Sequence, residues 1–251
     1  MSIMRRAVAR AGRNRVFPRK LPDDVGGARF YASTEGGLKY LRPNLASIDT
    51  PLLRFAAERV YPGAIVWDIG ANLGLFSFAA AGLAGPTGSV LAVEPDTWLV
   101  SVLRRSASLN PGCAPVHVLP AAVADVVGIA TFLIAADNRA TNALGGHGHT
   151  ATMGGVRESQ HVPTITLDFL LGHFDPPDVV KVDVEGVELR LLAGATQVLT
   201  RARPVMTIEV ERGSRKDVTA LLHEHRYDLF DGETGKASDT ATWATVAVPV
   251  R

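Results

Sequence analysis

Ala64-Ile65-Val66-Trp67-Asp68-Ile69-Gly70-Ala71-Asn72-Leu73-Gly74 is an apolar run that passes through an acid into a glycine-bounded turn, and a second apolar segment, Leu73 to Leu83, follows directly. Short apolar runs ended by glycine are expected of strands buried on both faces of a parallel sheet. The longer segment reads as a helix, so the whole stretch is strand, tight turn and helix. The glycines let the backbone turn sharply and let a ligand approach where a side chain would block it. The free amides opening the helix face that turn, which makes it a candidate binding loop.

What the loop binds is read from its spacing. In dinucleotide-binding chains the amides face a pyrophosphate and the glycines are spaced G-x-G-x-x-G. Here Gly70 and Gly74 are spaced G-x-x-x-G, and Asp68 stands two residues before the first glycine. An acid at that point repels pyrophosphate and attracts a cation, such as the amino group of S-adenosylmethionine. The next apolar run, Ser89 to Glu94, ends in an acid 20 residues beyond Gly74, where a carboxylate can accept both hydroxyls of an adenosine ribose. Glu94 alone does not separate a methyl donor from NAD. Together with Asp68 it favours the methyl donor; an ordinary tight turn would explain the glycines and leave Asp68 unexplained.

Outward from this unit the alternation continues. Thr50 to Val60 reads as a preceding helix, Asp96 to Leu109 as a helix, Pro115 to Leu119 as a strand, Val179 to Val184 as a strand, Glu188 to Leu199 as a helix, Pro204 to Val210 as a strand and Asp217 to His225 as a helix. Such alternation predicts an α/β fold with a parallel sheet and helices on both faces. Tyr227 to Phe230 and Trp243 to Val248, separated by turn-rich residues, read as a closing antiparallel pair. Between residues 125 and 165 the pattern loosens: Ile129 to Ile134 reads as a strand, and the polar, glycine-rich residues 137–160 form a segment long enough for a lid.

Carboxylates gather at the later strand ends. Lys181, Asp183 and Glu185 alternate with Val180, Val182 and Val184, so a period of two puts all three on one side of a strand. Unpaired charge inside a covered sheet is costly, which places the acids at the carboxyl end, in the crevice where ligands of open α/β sheets bind. Glu209 and Glu211 end the following strand, so Asp183 and Glu209 are expected to converge. Such a pair could orient or deprotonate a hydroxyl, or hold a hard divalent cation such as magnesium. Glu188, in the first turn of a helix, is read as a dipole-stabilising acid. His147 and His149 fall in the expected lid and are read as solvent-exposed.

Composition bounds the rest. The chain has 251 residues, 47% of them hydrophobic and 20% charged, which suits one globular α/β domain with a sizeable core. No apolar stretch reaches the roughly 20 residues of a membrane-spanning helix. Cys113 is the sole cysteine, so an intrachain disulfide and a cysteine-based metal cluster are excluded, and a reducing, cytoplasmic setting is expected. Net charge is +1, yet Arg5, Arg6, Arg10, Arg13, Arg15 and Arg19 all precede the first acid, Asp23. The expected layout is therefore a basic arm and irregular lead-in over residues 1–46, then a single domain over 47–251. The arm could touch an anionic membrane or a partner. The core lacks the basic patches with interleaved aromatics that nucleic-acid binding would call for.

Three strings carry a family resemblance: VWDIGANLGLF at Val66 to Phe76, VEPD at Val93 to Asp96, and TLDFLL followed by VVKVDVEGVELRLLAGA. The chain resembles the FkbM-type methyltransferases over roughly residues 60–212. The resemblance implies a class I methyltransferase fold with a seven-stranded, mostly parallel sheet whose last strand is antiparallel. It also implies S-adenosylmethionine as cofactor and O-methylation of a hydroxyl on a sugar, glycolipid, polysaccharide or polyketide. Position by position it assigns Asp68, Gly70, Asn72 and Gly74 to the cofactor loop, Glu94 to the ribose, and Asp183 and Glu185 to the transferred methyl. Ala122 and Val123 become adenine neighbours. The basic arm and residues 138–160 match no family motif. An NAD-dependent oxidoreductase, or a scaffold that binds the cofactor without chemistry, are the alternatives the residues alone leave open.

Overall fold

The structure, a computed structural model, describes residues 14–136, 138–145 and 155–250. Two strands open it: β1 (Phe17–Lys20) and β2 (Arg29–Ala32) form an antiparallel hairpin. Phe30 and Ala32 are fully buried in the main core, so residues 14–46, irregular by sequence, are built into the domain. Arg5, Arg6, Arg10 and Arg13 lie outside the described residues.

The central sheet follows from the apolar runs. Its strands in chain order are β3 (Ile65–Ile69), β4 (Ser89–Val93), β5 (Val116–Leu119) and, after an inserted region holding β6 to β9, β10 (Val179–Val182), β11 (Val205–Glu209), β12 (Tyr227–Asp231) and β13 (Ala244–Pro249). Their spatial order is β12-β13-β11-β10-β3-β4-β5. β5, β4, β3, β10 and β11 are mutually parallel, and β13 runs antiparallel to both β11 and β12. The expected seven strands, with an antiparallel last strand, are present.

Alternating side chains feed two cores. Val66, Val90, Ala92 and Val179 pack with α1 (Thr50–Arg59), α2 (Leu75–Ala84) and α3 (Thr97–Ala107). Trp67, Ile69, Leu91, Val93, Val180 and Val182 pack on the other face with α4 (Leu167–Leu171), α5 (Glu188–Ala193) and α6 (Arg215–Glu224). A period of two over a fully covered sheet requires this division. The α3 terminus is capped by Asp96, whose carboxylate accepts from the Trp98 amide at 2.9 Å, a contact worth about 1 kcal/mol. The long helix expected over Glu188 to Leu199 is broken. α5 stops at Gly194, whose missing side chain would meet the Ala124 carbonyl at 2.8 Å, and a π-helical turn follows at Val198–Ala202.

The inserted region forms a second, four-stranded sheet. β6 (Ala122–Val123), β7 (Gly128–Ala135), β8 (Ala143–Leu144) and β9 (Val156–Ile165) are ordered β6-β9-β7-β8. The described parts of the segment expected as a lid therefore belong to strands and a short 3-10 turn at Arg139–Thr141. His147 and His149 lie outside the described residues. Among the described residues no helix is long and apolar enough to cross a membrane.

Candidate active site

A cavity opens at the carboxyl ends of β3, β4 and β10. It stands where the chain leaves β3 for one direction of the sheet and β10 for the other, the switch point at which open α/β sheets bind ligands. One wall is apolar: Val93, Pro95, Ala122, Val123, Phe132 and Leu144. Polar groups enter from Asn72, Glu94, Arg139, Asn142, Asp183 and Glu185.

The loop after β3 is shaped by two strained residues. Gly70 has φ +76°, and a side chain on it would meet the Asp183 carbonyl at 1.9 Å. Only glycine allows the turn to pass this close to the end of β10. Asn72 is left-handed at φ +52°, a conformation asparagine tolerates better than most residues. The turn directs its amide to Glu94, whose Oε2 accepts at 2.8 Å, while Oε1 accepts from the Asp96 amide at 2.9 Å. Burial nevertheless pushes the Glu94 carboxyl up to about 7, against the lowering effect of those two amides. A buried carboxylate with spare lone pairs on both oxygens, set beside an apolar wall, is a fitting receptor for the ribose hydroxyls and base of an adenosine.

Asp68 and Gly74 stand elsewhere. Gly74 does not line the cavity; a side chain there would strike Phe78 and Leu103 within 2.7 Å, so it serves the packing of α2 on α3. Asp68 was expected to face a cationic ligand. It is fully buried beneath the loop instead, accepting from Ser77 Oγ at 2.5 Å and lying 3.2 Å from Lys181 Nζ. The physical reason is the register: Lys181 on β10 sits directly beside Asp68 on β3, and both point to the same face. Lys181 also donates to the Gly70 carbonyl at 2.6 Å and lies 3.2 Å from Asp183. Burial opposes its charge, but Asp183 and Asp68 more than compensate and hold the ammonium protonated. Sequence reading noticed Lys181 only as a member of the alternating run; its cost inside the sheet was the signal that it must be paired.

A second cavity adjoins the first and shares Asn72, Ala140, Asp183 and Glu185 with it. Glu209 lines this second cavity and not the first. Burial pushes Glu185 up to about 7, aided by Asp183. Burial likewise pushes Glu209 up to about 8, with Asp183 adding to it and Lys181 opposing it. Asp183 and Glu209 thus face one space, as the strand-end reading expected. The magnesium site suggested for them finds no support: among the described residues no group of three or more His, Cys, Asp or Glu is arranged to hold a metal, and an ammonium already occupies one side of Asp183.

Sequence reasoning missed the fastening of the inserted sheet. Arg139 ion-pairs with Asp96 and with Glu35 Oε2, the latter at 2.8 Å. Arg157 reaches Glu35 at 3.0 Å and Asn142 reaches Asp96 at 2.9 Å. Burial raises the Glu35 carboxyl, but the two arginines outweigh it and hold it below its ordinary value. These partners are distant in sequence and share no periodic pattern, so the only signal is the pair of arginines, Arg139 and Arg157, in an otherwise polar segment.

The sheet order, with its antiparallel β13 and a cavity at the switch point, is that of the class I methyltransferase fold. The Methyltransferase FkbM domain model matches residues 68–229, and the chain belongs to this family. It is 31% identical over 176 residues, 69% of its length and 67% of the relative's, to the hexuronic acid methyltransferase AglP of Haloferax volcanii. Among solved structures it is similar to methyltransferase FkbM from Methylobacillus flagellatus KT (TM-score 0.48, 16% identity, 84% of this chain and 56% of that one). It is also similar to magnesium protoporphyrin IX methyltransferase from Synechocystis PCC 6803 with bound S-adenosylmethionine (TM-score 0.45, 14% identity, 80% and 77%). The family match displaces the oxidoreductase alternative.

Proposed function

We propose that this methyltransferase places its methyl group on a hydroxyl of a sugar or sugar-bearing acceptor, with Glu185 taking the hydroxyl proton. The observation that carries the reading is that Asp183 and Glu185 line both the cofactor cavity and the adjoining one. A methyl donor in the first and an acceptor in the second would meet beside them. The relative named for hexuronic acid methylation supports a sugar as the acceptor class.

In this mechanism the cavity residues do the positioning. Glu94 and the apolar wall hold the nucleoside end of the cofactor, and Asn72 and Gly70 shape the loop around it. Bound S-adenosylmethionine supplies a methyl group activated by a sulfonium; as the O–CH3 bond forms the S–CH3 bond breaks, and neutral S-adenosylhomocysteine is left. Asp183, held from below by Lys181, accepts a hydrogen bond from a neighbouring hydroxyl of the acceptor and so aligns the one that reacts. Glu185 receives the proton. An aliphatic hydroxyl is a poor nucleophile at neutral pH, and a carboxylate raised to about 7 is better matched to the task than an ordinary one. Glu209 accepts a further hydroxyl of the acceptor.

Transfer of labelled methyl to a host metabolite and glycan extract, with mass identification of the product, tests the acceptor class. Glu185→Gln is expected to lower kcat by roughly 100-fold or more while S-adenosylhomocysteine binding measured by calorimetry is retained. A methylated amine or thiol as the product, or unchanged kcat in the variant, would refute the proposal.

A further inference from the structure

The acceptor cavity does not end at Glu209. A third space shares Asp49, Leu52, Lys181 and Glu209 with it and extends across β11 to the start of β13. Its far rim carries Trp243, 47% exposed. Arg54 on α1 donates to the carbonyls of Gly232 and Glu233 at 2.5 and 2.9 Å, which fixes the neighbouring part of that rim. A large, exposed indole on a rigid rim contributes little to the core. Its apolar face is available to a ligand.

The charges along this groove point one way. Its acids are Asp49, Asp183, Glu185, Glu209 and Glu233. Its two cations among the described residues are already engaged: Lys39 lies 3.6 Å from Asp49, and Lys181 is shared between Asp68 and Asp183. No cation of the groove is left to pair with a carboxylate on the acceptor, whereas hydroxyl groups find carboxyl oxygens to accept their protons. Three inter-strand spacings separate the cofactor loop on β3 from Trp243 beside β13, with β10 and β11 between. Adjacent strands are about 4.8 Å apart, so the groove runs roughly 14 Å, longer than one pyranose ring.

We infer that the acceptor is an uncharged, hydroxyl-rich oligosaccharide at least two sugar units long, laid along this groove, with Trp243 as the stacking platform for a unit beyond the one methylated. The inference rests on the proposed function, and it departs from the acidic sugar for which the Haloferax relative is named. Apolar C–H faces of a pyranose pack on the indole ring while its hydroxyls reach the flanking carboxylates. Trp243 is then a specificity-determining residue with no part in the chemistry.

The test is an oligosaccharide array probed with the full chain loaded with S-adenosylhomocysteine, followed by calorimetry on the retained compounds. The array includes neutral oligosaccharides, their monosaccharides and uronate-containing counterparts. Neutral oligosaccharides should be retained in preference to both other classes. Trp243→Ala should weaken their binding about tenfold or more, Trp243→Phe should keep it within a few-fold, and S-adenosylhomocysteine affinity and Tm should stay unchanged in both. Equal or better retention of uronates, retention of monosaccharides alone, an unaffected Trp243→Ala variant, or no retained neutral oligosaccharide would each overturn the inference. Binding of neutral oligosaccharides without methyl transfer to them would leave it standing and count against the proposed chemistry instead.

Discussion

Lys181→Met should be among the most damaging single substitutions in this chain, although the residue touches no nucleoside in the proposed complex. Lys181 is 5% exposed and Asp68 is fully buried, and their Nζ–Oδ1 separation is 3.2 Å. Removing the ammonium leaves the Asp68 charge enclosed with Ser77 as its hydrogen-bond donor, and deletes the 2.6 Å bond to the Gly70 carbonyl. Breaking a buried pair by losing one partner typically costs about 3–5 kcal/mol, whereas replacing both partners is often nearly neutral. Lys181→Met should therefore lose about 3–5 kcal/mol in urea unfolding, and Asp68→Asn with Lys181→Met should recover at least about 2 kcal/mol of it in a double-mutant cycle. A loss below about 1 kcal/mol, or strict additivity of the two substitutions, would refute the assignment of Lys181 as the ionic tie between β3 and β10.

Two further outcomes follow from the raised carboxyls. Because the proposed base must be deprotonated and Glu185 is pushed up to about 7, kcat should fall about tenfold per pH unit below that value; a flat profile down to the range of an ordinary carboxylate would contradict the role. Glu94, pushed up to about 7 from 4.5, binds its proton more tightly folded than unfolded. Its contribution to stability is therefore full below 4.5 and is lost as pH rises through about 7, by on the order of 3 kcal/mol. Urea unfolding across that window should show the decline in the wild type and a shallower one in Glu94→Gln, whose S-adenosylhomocysteine affinity should drop about tenfold or more; equal slopes and unchanged affinity would count against the ribose role.

Local pattern made the central unit legible. The run from Ala64 to Gly74, the acid at Glu94 and the alternation through Val184 reflect burial on a sheet, which the sequence expresses at a period of two. That pattern located β3, β4, β10 and β11 within a few residues and brought Asp183, Glu185 and Glu209 to one end. Positions whose roles depend on neighbours across the fold were not legible in the same way. Asp68 reads as a ligand contact until the register with Lys181 is known. Gly74 reads as a loop glycine until Phe78 and Leu103 are seen against it. Arg139 gave no sign of its partners, and Trp243 differs from a core tryptophan only in what the closing strands leave uncovered.

The Glu35–Arg139–Asp96 cluster has a consequence for the order in which the protein becomes competent. Glu35 and Arg139 are 104 residues apart, and Arg139 and Asp96 are 43 apart. Closing loops of that size is slow relative to forming a helix or a hairpin. The cavity wall that includes Arg139 and Asn142 is complete only after the turn that carries Glu35, the start of α3 and the inserted sheet have all docked. β3 and β4 precede Arg139 and Asn142 in the chain, so a chain still emerging from the ribosome has the strands that lead to Asn72 and Glu94 before it has the wall that closes the pocket beside them.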